Sequence, residues 1–442
     1  MGRSVIGIIG AAVSGPVLAL QILSHPVLSK RFRPILFDQI SAPQEPKKSD
    51  THSDTGQIVH TAGAGVGLFP NGLFPLYELG LKDSLHAISW EMQRLSIWRG
   101  NLEGHHQFYN TSVNAGWAAD LGTCTRVFER QRLQNMLLTR VRELGGQVCW
   151  GKKIESIEDF RDGCRGTVHF ADGESTELDL LIGADGAWSA VRKYILRQRN
   201  PKSGQTRWAP KFTGVAGLYG ISSSLDVPPN SDPSKLGDLR EAYMVLLDRG
   251  NIGVLPLEDG KLAWTIHYPE MKAPERSTPI EIQDKPGLDL YESKMIPGVY
   301  SPGSTAELLH QHENIWHPTL GSFKPMFEAA ERIIRSPLRL FVWEPEEIQW
   351  GNVAVIGDAA RVLPPYAGQV LANALLNNPP PTSDPGNFKA ALTEYAQTRV
   401  PRSKKVAKMA SWTGVLSMGS NWWWRWIRDL GSRLPLGGDP KT

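Results

Sequence analysis

The first part of the chain alternates short, continuous apolar runs with amphipathic stretches. Residues 4–9 form a run rich in Val and Ile. A turn at residues 10–15 follows, and then 16–23, where apolar positions recur at helical spacing. Residues 33–38 read as a second buried strand that ends in a carboxylate, so strand, helix and strand make a βαβ unit with parallel strands and a right-handed crossover. Residues 41–57 are a polar, proline-bearing loop. Helices are expected over 71–81 and 129–144, the latter with Leu133, Leu137 and Leu138 on one face and Gly145-Gly146 as its stop. Strands are expected at 95–98, and at 167–170 and 178–182 on either side of a turn at 171–173.

From about 213 to 268 the pattern changes to short alternating strands (243–247, 252–255 and 262–267) joined by Gly, Asp and Pro turns, which suits an antiparallel sheet. Residues 353–356 return to a continuous buried run, before Gly357-Asp358. No repeat of fixed period is visible. The pattern therefore predicts an α/β protein with a Rossmann-like nucleotide-binding domain, discontinuous in sequence (1–85, 120–205 and 340–442). A mainly antiparallel substrate domain is inserted into it (86–119 and 206–339).

Composition narrows the class. Across 442 residues, 41% hydrophobic and 21% charged positions are those of a soluble globular protein. Lys and Arg exceed Asp and Glu by only 48 to 45, so no basic stripe points to nucleic acid as a partner. Cys124, Cys149 and Cys164 are too few and too scattered for a disulfide framework or a metal cage, and no metal is expected. Free thiols suit a reducing, cytoplasmic location. The apolar start is too short to span a bilayer, and Ile6 stands where a myristoylation signal needs Ser or Thr. Residues 421–428 combine four Trp with two Arg. They suit either a closing helix packed on the body or a weak contact with a membrane surface, without firm insertion.

The candidate chemistry sits at strand ends. A dinucleotide fold needs glycine where its first turn is tight, where backbone meets pyrophosphate, and where helix meets strand. Gly10 and Gly15 fill the first and third roles, Ala12 holds the second, and Ser14 lies in the same loop. Asp38, 23 residues beyond Gly15 at the end of the second strand, is placed to accept both ribose hydroxyls of an adenosine. A strand–turn–helix with a surface Asp is the plainer account of the same residues. Two further segments, Gly183-Ala184-Asp185-Gly186 and Gly357-Asp358-Ala359-Ala360-Arg361, each set an Asp at the carboxyl end of a parallel strand. That is where open α/β sheets bind ligands. The second leads to Pro364-Pro365-Tyr366-Ala367-Gly368-Gln369.

This set, in this order, resembles the FAD-dependent aromatic-hydroxylase family, the single-component flavoprotein monooxygenases, over nearly the whole chain. The resemblance implies that the first loop holds the ADP half of FAD and that Asp185-Gly186 contacts pyrophosphate. It also implies that Asp358 binds the ribityl chain and that the loop through Gly368 lies under the isoalloxazine. Residues 63–71 look like the family's loop and helix start near the flavin. Arg130-Gln131-Arg132-Leu133 resembles its Arg-x-x-Leu, whose Arg reaches the flavin nucleotide with forked donors. Departures cluster near the flavin. Val370, Leu371 and Ala372 replace the usual Gly, small residue and Asn; Leu376-Asn377 replaces an acidic pair; and Arg361 stands where His is frequent. Weaker retention of FAD is expected from Ala12, Val370 and Ala372, whose side chains stand where relatives let backbone approach the cofactor.

The resemblance implies FAD as cofactor and NAD(P)H as co-substrate. With O2 they would hydroxylate or epoxidise an apolar ring-containing metabolite, in keeping with secondary metabolism. The alternative is a non-redox isomerase or cyclase on the same fold, since fold does not fix function. Trp90, Trp98, Trp117, Trp264 and Trp316 suit either an aromatic-lined pocket or plain core filling. No catalytic acid or base is identifiable from the residues.

Overall fold

The computed structural model describes residues 2–41, 65–92, 94–100, 105–112, 123–200, 208–225, 241–274, 289–296, 298–317, 319–361, 367–419, 422–423 and 426–427. Most of the polar loop at 41–57, together with Gly63, Trp117 and residues 364–366, falls outside them.

The continuous apolar runs do become adjacent parallel strands. Ser4–Ile9 pairs in parallel with Phe32–Phe37 on one side and with Leu180–Gly183 on the other. Val353–Val355 adds beyond Leu180–Gly183, and Gln147–Cys149 beyond Phe32–Phe37. Gln349–Trp350 closes one edge antiparallel. Ile6, Ile8, Leu181, Ile182 and Ala354 are fully buried, as strands covered on both faces require. The helix Ser14–Ser24 packs on Arg130–Glu143 and on Ala367–Asn377, with Leu133, Leu137 and Leu138 buried as their spacing predicts.

Two elements differ from the sequence expectation. The helix expected over 71–81 forms as Pro70–Glu78, ending three residues early before Gly80 at φ 75°, and a further helix, Lys82–Ala87, follows it. The strand over 178–182 is split between two sheets. Ser175–Leu178 ends a hairpin sheet with Gly166–Phe170, whereas Leu180–Gly183 enters the parallel sheet. Asp179 makes the junction, with its N–H donating to Val5 O at 3.0 Å and its Oδ2 accepting Val5 N–H at 2.7 Å.

The inserted sheet has seven strands in the order Ala330–Leu340, Lys211–Ser222, Leu262–Pro269, Asn251–Pro256, Ala242–Leu246, Arg94–Gly100, His105–Ser112. All pairs are antiparallel except Ala242–Leu246 with Arg94–Gly100. Alternation gives it two different faces. Leu218, Trp264 and Ile266 face a core shared with Leu309 and Phe327 of the helices Pro302–His312 and Lys324–Glu328. Ile221, Ala263, Leu255 and Tyr219 face the other way, against Val127 and Met92. Val127 belongs to a three-stranded sheet of Gly65–Leu68, Arg126–Glu129 and Ser89–Glu91. The approach is close: a Cβ on Gly65 would lie 2.7 Å from that of Ala263. Arg332, opposite Ile221 in register, reaches Glu129 Oε1 at 2.5 Å and Gln131 Oε1 at 3.0 Å. The second face of the inserted sheet is thereby fixed to the residues that flank Arg130.

Candidate functional site

The first turn is tight because no side chain fits in it. Gly10 has φ 108°, and a Cβ there would lie 2.3 Å from Ala184 O; one on Gly15 would lie 2.0 Å from Gly10 O. Both glycines therefore do what their places in the motif predict. Ala12 is half-buried and has no left-handed φ, so its methyl costs the backbone nothing. The following helix, Ser14–Ser24, has no side-chain cap, which leaves its first N–H groups to an outside acceptor, and its dipole favours an anion there. Asp38 is held beside this turn. Its Oδ2 accepts Ala11 N–H at 2.7 Å and its Oδ1 accepts Ile40 N–H at 3.1 Å. Each carboxylate oxygen keeps a second lone pair, so the group can still receive ribose hydroxyls. From below, the buried Gln134 donates Nε2–H to Ala11 O at 2.9 Å.

The other two segments meet this loop. Gly357, at φ 59°, comes so close to Ser14 that a Cβ would lie 2.3 Å from its Oγ. Asp358 beside it is exposed at the end of the Val353–Val355 strand. Asp185 also caps a helix. Its Oδ2 accepts the N–H groups of Ala190 at 2.7 Å and Val191 at 3.2 Å, so it caps the helix Ala190–Arg199. Its Oδ1 has no hydrogen-bond partner among the described residues, and burial pushes the carboxyl upward against the hydrogen bonds that oppose the shift. Gly186, at φ 79° with open space where a Cβ would stand, offers bare backbone beside it.

Arg192 organises these loops, and the sequence reading missed it. It is fully buried, donating to Ala187 O, Trp208 O and Ala359 O, with its guanidinium 3.7 Å from the centroid of the Trp343 ring. Burial pulls it down to about 10, opposed by the nearby Asp185 charge. Five donors on a rigid plane let one side chain tie the segment at 183–190 to the one at 357–360. The only signal in the sequence was an Arg on a helix face otherwise set by Val191, Ile195 and Leu196. Arg130 opens the helix Arg130–Glu143, next to Glu129 and Gln131, which bind Arg332.

The departures noted in the sequence also change meaning. Val370, Leu371 and Ala372 are helical residues of Ala367–Asn377 without positive φ, so a β-branched residue at 370 meets no backbone strain. Leu371 and Ala372 are buried in the nucleotide-domain core, with Val370 packed against it. Gly368 lies in the first turn of that helix. Arg361 is likewise buried, with Nη1 donating to Ser403 Oγ at 2.7 Å, so it braces the C-terminal helix Lys389–Met418. Among the C-terminal Trp residues, Trp422, Trp423 and Trp426 are exposed. Among the described residues, no helix is long and apolar enough to cross a membrane, and no cluster could hold a metal ion.

A parallel sheet with a glycine turn and an acidic second-strand end, together with an inserted, mainly antiparallel sheet, defines an FAD-binding α/β fold with a sheet-built substrate domain. Comparison with known proteins agrees. The family model of the FAD binding domain matches residues 76–219. The chain is 26% identical over 368 residues to 3-amino-4-hydroxybenzoate 2-monooxygenase of Streptomyces cremeus, covering 79% of this chain and 76% of that protein. It is 26% identical over 388 residues to aurachin C monooxygenase/isomerase of Stigmatella aurantiaca, covering 84% of each. Among solved structures, Klebsiella pneumoniae HpxO complexed with FAD and uric acid superposes with a TM-score of 0.69 at 18% identity, over 97% of this chain and 92% of that one. The chain is similar to the FAD-dependent aromatic hydroxylases, and these likenesses support an enzyme of the flavoprotein monooxygenase type.

Proposed function

We propose that this enzyme binds FAD and uses a reduced nicotinamide nucleotide and O2 to put one oxygen atom onto a small, apolar, ring-bearing metabolite. The inserted sheet, within 86–119 and 206–339, forms the substrate side. One observation carries the reading: Asp38 is pinned to Ala11 beside a helix whose first N–H groups have no side-chain cap. That arrangement fits an adenosine ribose and a pyrophosphate at neighbouring points.

FAD supplies the redox and oxygen-transfer chemistry when bound; the chain supplies place and dryness. Asp38 takes the ribose hydroxyls, and the N-terminus of Ser14–Ser24 takes the pyrophosphate charge. Gly186, Asp358, Gly368 and Arg130 would hold the remainder of the dinucleotide. Arg192 keeps the loops at 183–190 and 357–360 in register. Tyr219, Ile221 and Leu255 pack against Val127 and Met92 and would keep water out of this interface. The two relatives named above, one of them 3-amino-4-hydroxybenzoate 2-monooxygenase, favour an aromatic or heteroaromatic substrate.

The test is turnover of FAD-loaded protein with NADPH or NADH and candidate ring substrates, in air and under argon. Oxygenated product that needs both O2 and the reduced nucleotide is the expected result. Product formed by a colourless protein with neither would replace this reading with the non-redox isomerase or cyclase.

A further inference from the structure

A cavity of about 440 Å³ opens beside Trp350 and Gly351. There Gln349–Trp350 turns back into Val353–Val355, whose far end leads to Gly357 and Asp358. The cavity therefore lies at the amino end of the parallel sheet, on the edge opposite the cofactor loops. Its walls are tied together. Fully buried Asn352 sets its Nδ2 3.2 Å from Cys164 O, 3.1 Å from Asp179 O and 2.7 Å from Gly386 O, and its Oδ1 accepts Phe388 N–H at 3.4 Å. Gly351, at φ 53°, comes so close to the same loop that a Cβ would lie 2.0 Å from Phe160 O. One side chain and one glycine thus hold three distant segments around a standing hollow.

The lining is positive and only partly neutralised. Arg161, Arg199 and Lys389 share it with a single carboxylate, Asp162, which leaves two units of positive charge. Lys389 Nζ takes that carboxylate at 2.8 Å. Arg199 donates from Nη2 to Gln349 O at 3.1 Å, and its other four N–H groups are unspent among the described residues. The Arg161 guanidinium has no hydrogen bond or ion pair among the described residues. Like charges held around one concave wall repel each other until an anion enters between them. All four charged residues are exposed, so a ligand reaches them from solvent. Trp350, half-buried and 5.8 Å from Tyr194 between ring centroids, adds a flat apolar surface.

We infer that this cavity is a second ligand site, which binds a phosphate monoester carried on a flat ring. Such a group bears a charge of about −1.5 to −2 near pH 7, which matches the excess on the lining. The guanidinium forks of Arg161 and Arg199 suit phosphate oxygens, and the ring lies against Trp350. The volume is that of a small-molecule site. A sulfate ester of the same ring brings only one charge and binds more weakly, and the free alcohol brings none. The site stands apart from the proposed function, since its lining includes no residue of the glycine turn, Asp38 or the inserted sheet.

The probes are 1-naphthyl phosphate, 1-naphthyl sulfate and 1-naphthol, titrated calorimetrically into the full chain with excess FAD and again without it. Wild type should bind the phosphate about tenfold tighter than the sulfate or the naphthol. Arg161→Ala and Arg199→Ala should each weaken the phosphate about five- to tenfold. Asp162→Asn removes the competing carboxylate and should tighten it. Arg197→Ala, an equal change in net charge outside the lining, should leave it unaltered. These four residues are exposed, so melting temperatures should stay near that of wild type. Equal binding of the three probes, unchanged phosphate binding in both Arg161→Ala and Arg199→Ala, or displacement of the phosphate by FAD overturns the inference. So does an equal loss in Arg197→Ala. A protein that takes up no FAD fails the proposed function, and the flavin-free titrations then decide this site alone.

Discussion

Replacing Asp38 separates what its carboxylate does for the fold from what it does for the cofactor. In the free protein the two oxygens satisfy Ala11 N–H at 2.7 Å and Ile40 N–H at 3.1 Å. Asp38→Ala leaves both amides without that acceptor. The Ile40 amide lies near the surface and can turn to water. The Ala11 amide belongs to a buried residue, so most of the cost falls there, about 1–3 kcal/mol. Asp38→Asn keeps one acceptor and should lose about half as much. Cofactor affinity carries a second loss, because a charged acceptor for ribose hydroxyls contributes roughly 1.5–3 kcal/mol, about ten- to a hundredfold in Kd. Denaturant unfolding of the flavin-free variants measures the first effect, and calorimetric titration with FAD measures the second. FAD affinity should fall in Asp38→Ala by more than the loss of folding stability accounts for. Unchanged FAD affinity in that variant refutes the ribose role, whatever the unfolding curve does.

Arg192→Met strands three backbone carbonyls in the interior and should lower unfolding free energy by about 3–5 kcal/mol, with Arg192→Lys closer to wild type, as read from denaturant midpoints. Ala12→Gly removes a methyl from the turn at no gain in backbone strain, so it should tighten FAD binding without raising the melting temperature; weaker binding would show that the methyl does not crowd the pyrophosphate. His317 is buried, its Nδ1 accepting from Thr319 and Leu320 N–H and its Nε2 facing the Tyr243 hydroxyl, and burial pulls it down to about 3. The unfolded chain binds its proton below about pH 6.5 while the folded one does not, so stability falls as pH drops from there toward 3, by at most about 1.4 kcal/mol per unit. Melting curves of His317→Asn should lose that slope between pH 6 and pH 4, and an unchanged slope would assign it to other groups.

Much of this architecture could be read from the chain because burial on two faces leaves a plain mark. Ile6, Ile8, Ile182 and Val355 are apolar without alternation, and each lies in the parallel sheet. The alternation after residue 213 likewise marks a sheet with two unlike faces. What could not be read depended on contacts between distant segments. Asp179 divides one apolar run between two sheets only because Val5 is there to receive it. Arg192 looks like a solvated helix residue until the carbonyls of Trp208 and Ala359 surround it. That Leu371 and Ala372 pack inward depends likewise on the core they meet, which the residues alone do not show. Of the cofactor candidates, Gly10 and Gly15 were the most legible, since steric exclusion acts over a few residues and leaves a fixed spacing.

The order of strands in the parallel sheet also sets a timetable for synthesis. Ser4–Ile9 has its inner neighbour in Leu180–Gly183, and that strand finds its own in Val353–Val355. At about 5–20 residues per second, a ribosome needs tens of seconds to carry the chain from the first strand to the last. Throughout that interval the growing polypeptide exposes an unpaired apolar edge, a template for adhesion to other nascent chains. A chain that stops before residue 353 would lack Val353–Val355, and the Leu180–Gly183 edge would stay open to pairing with other strands.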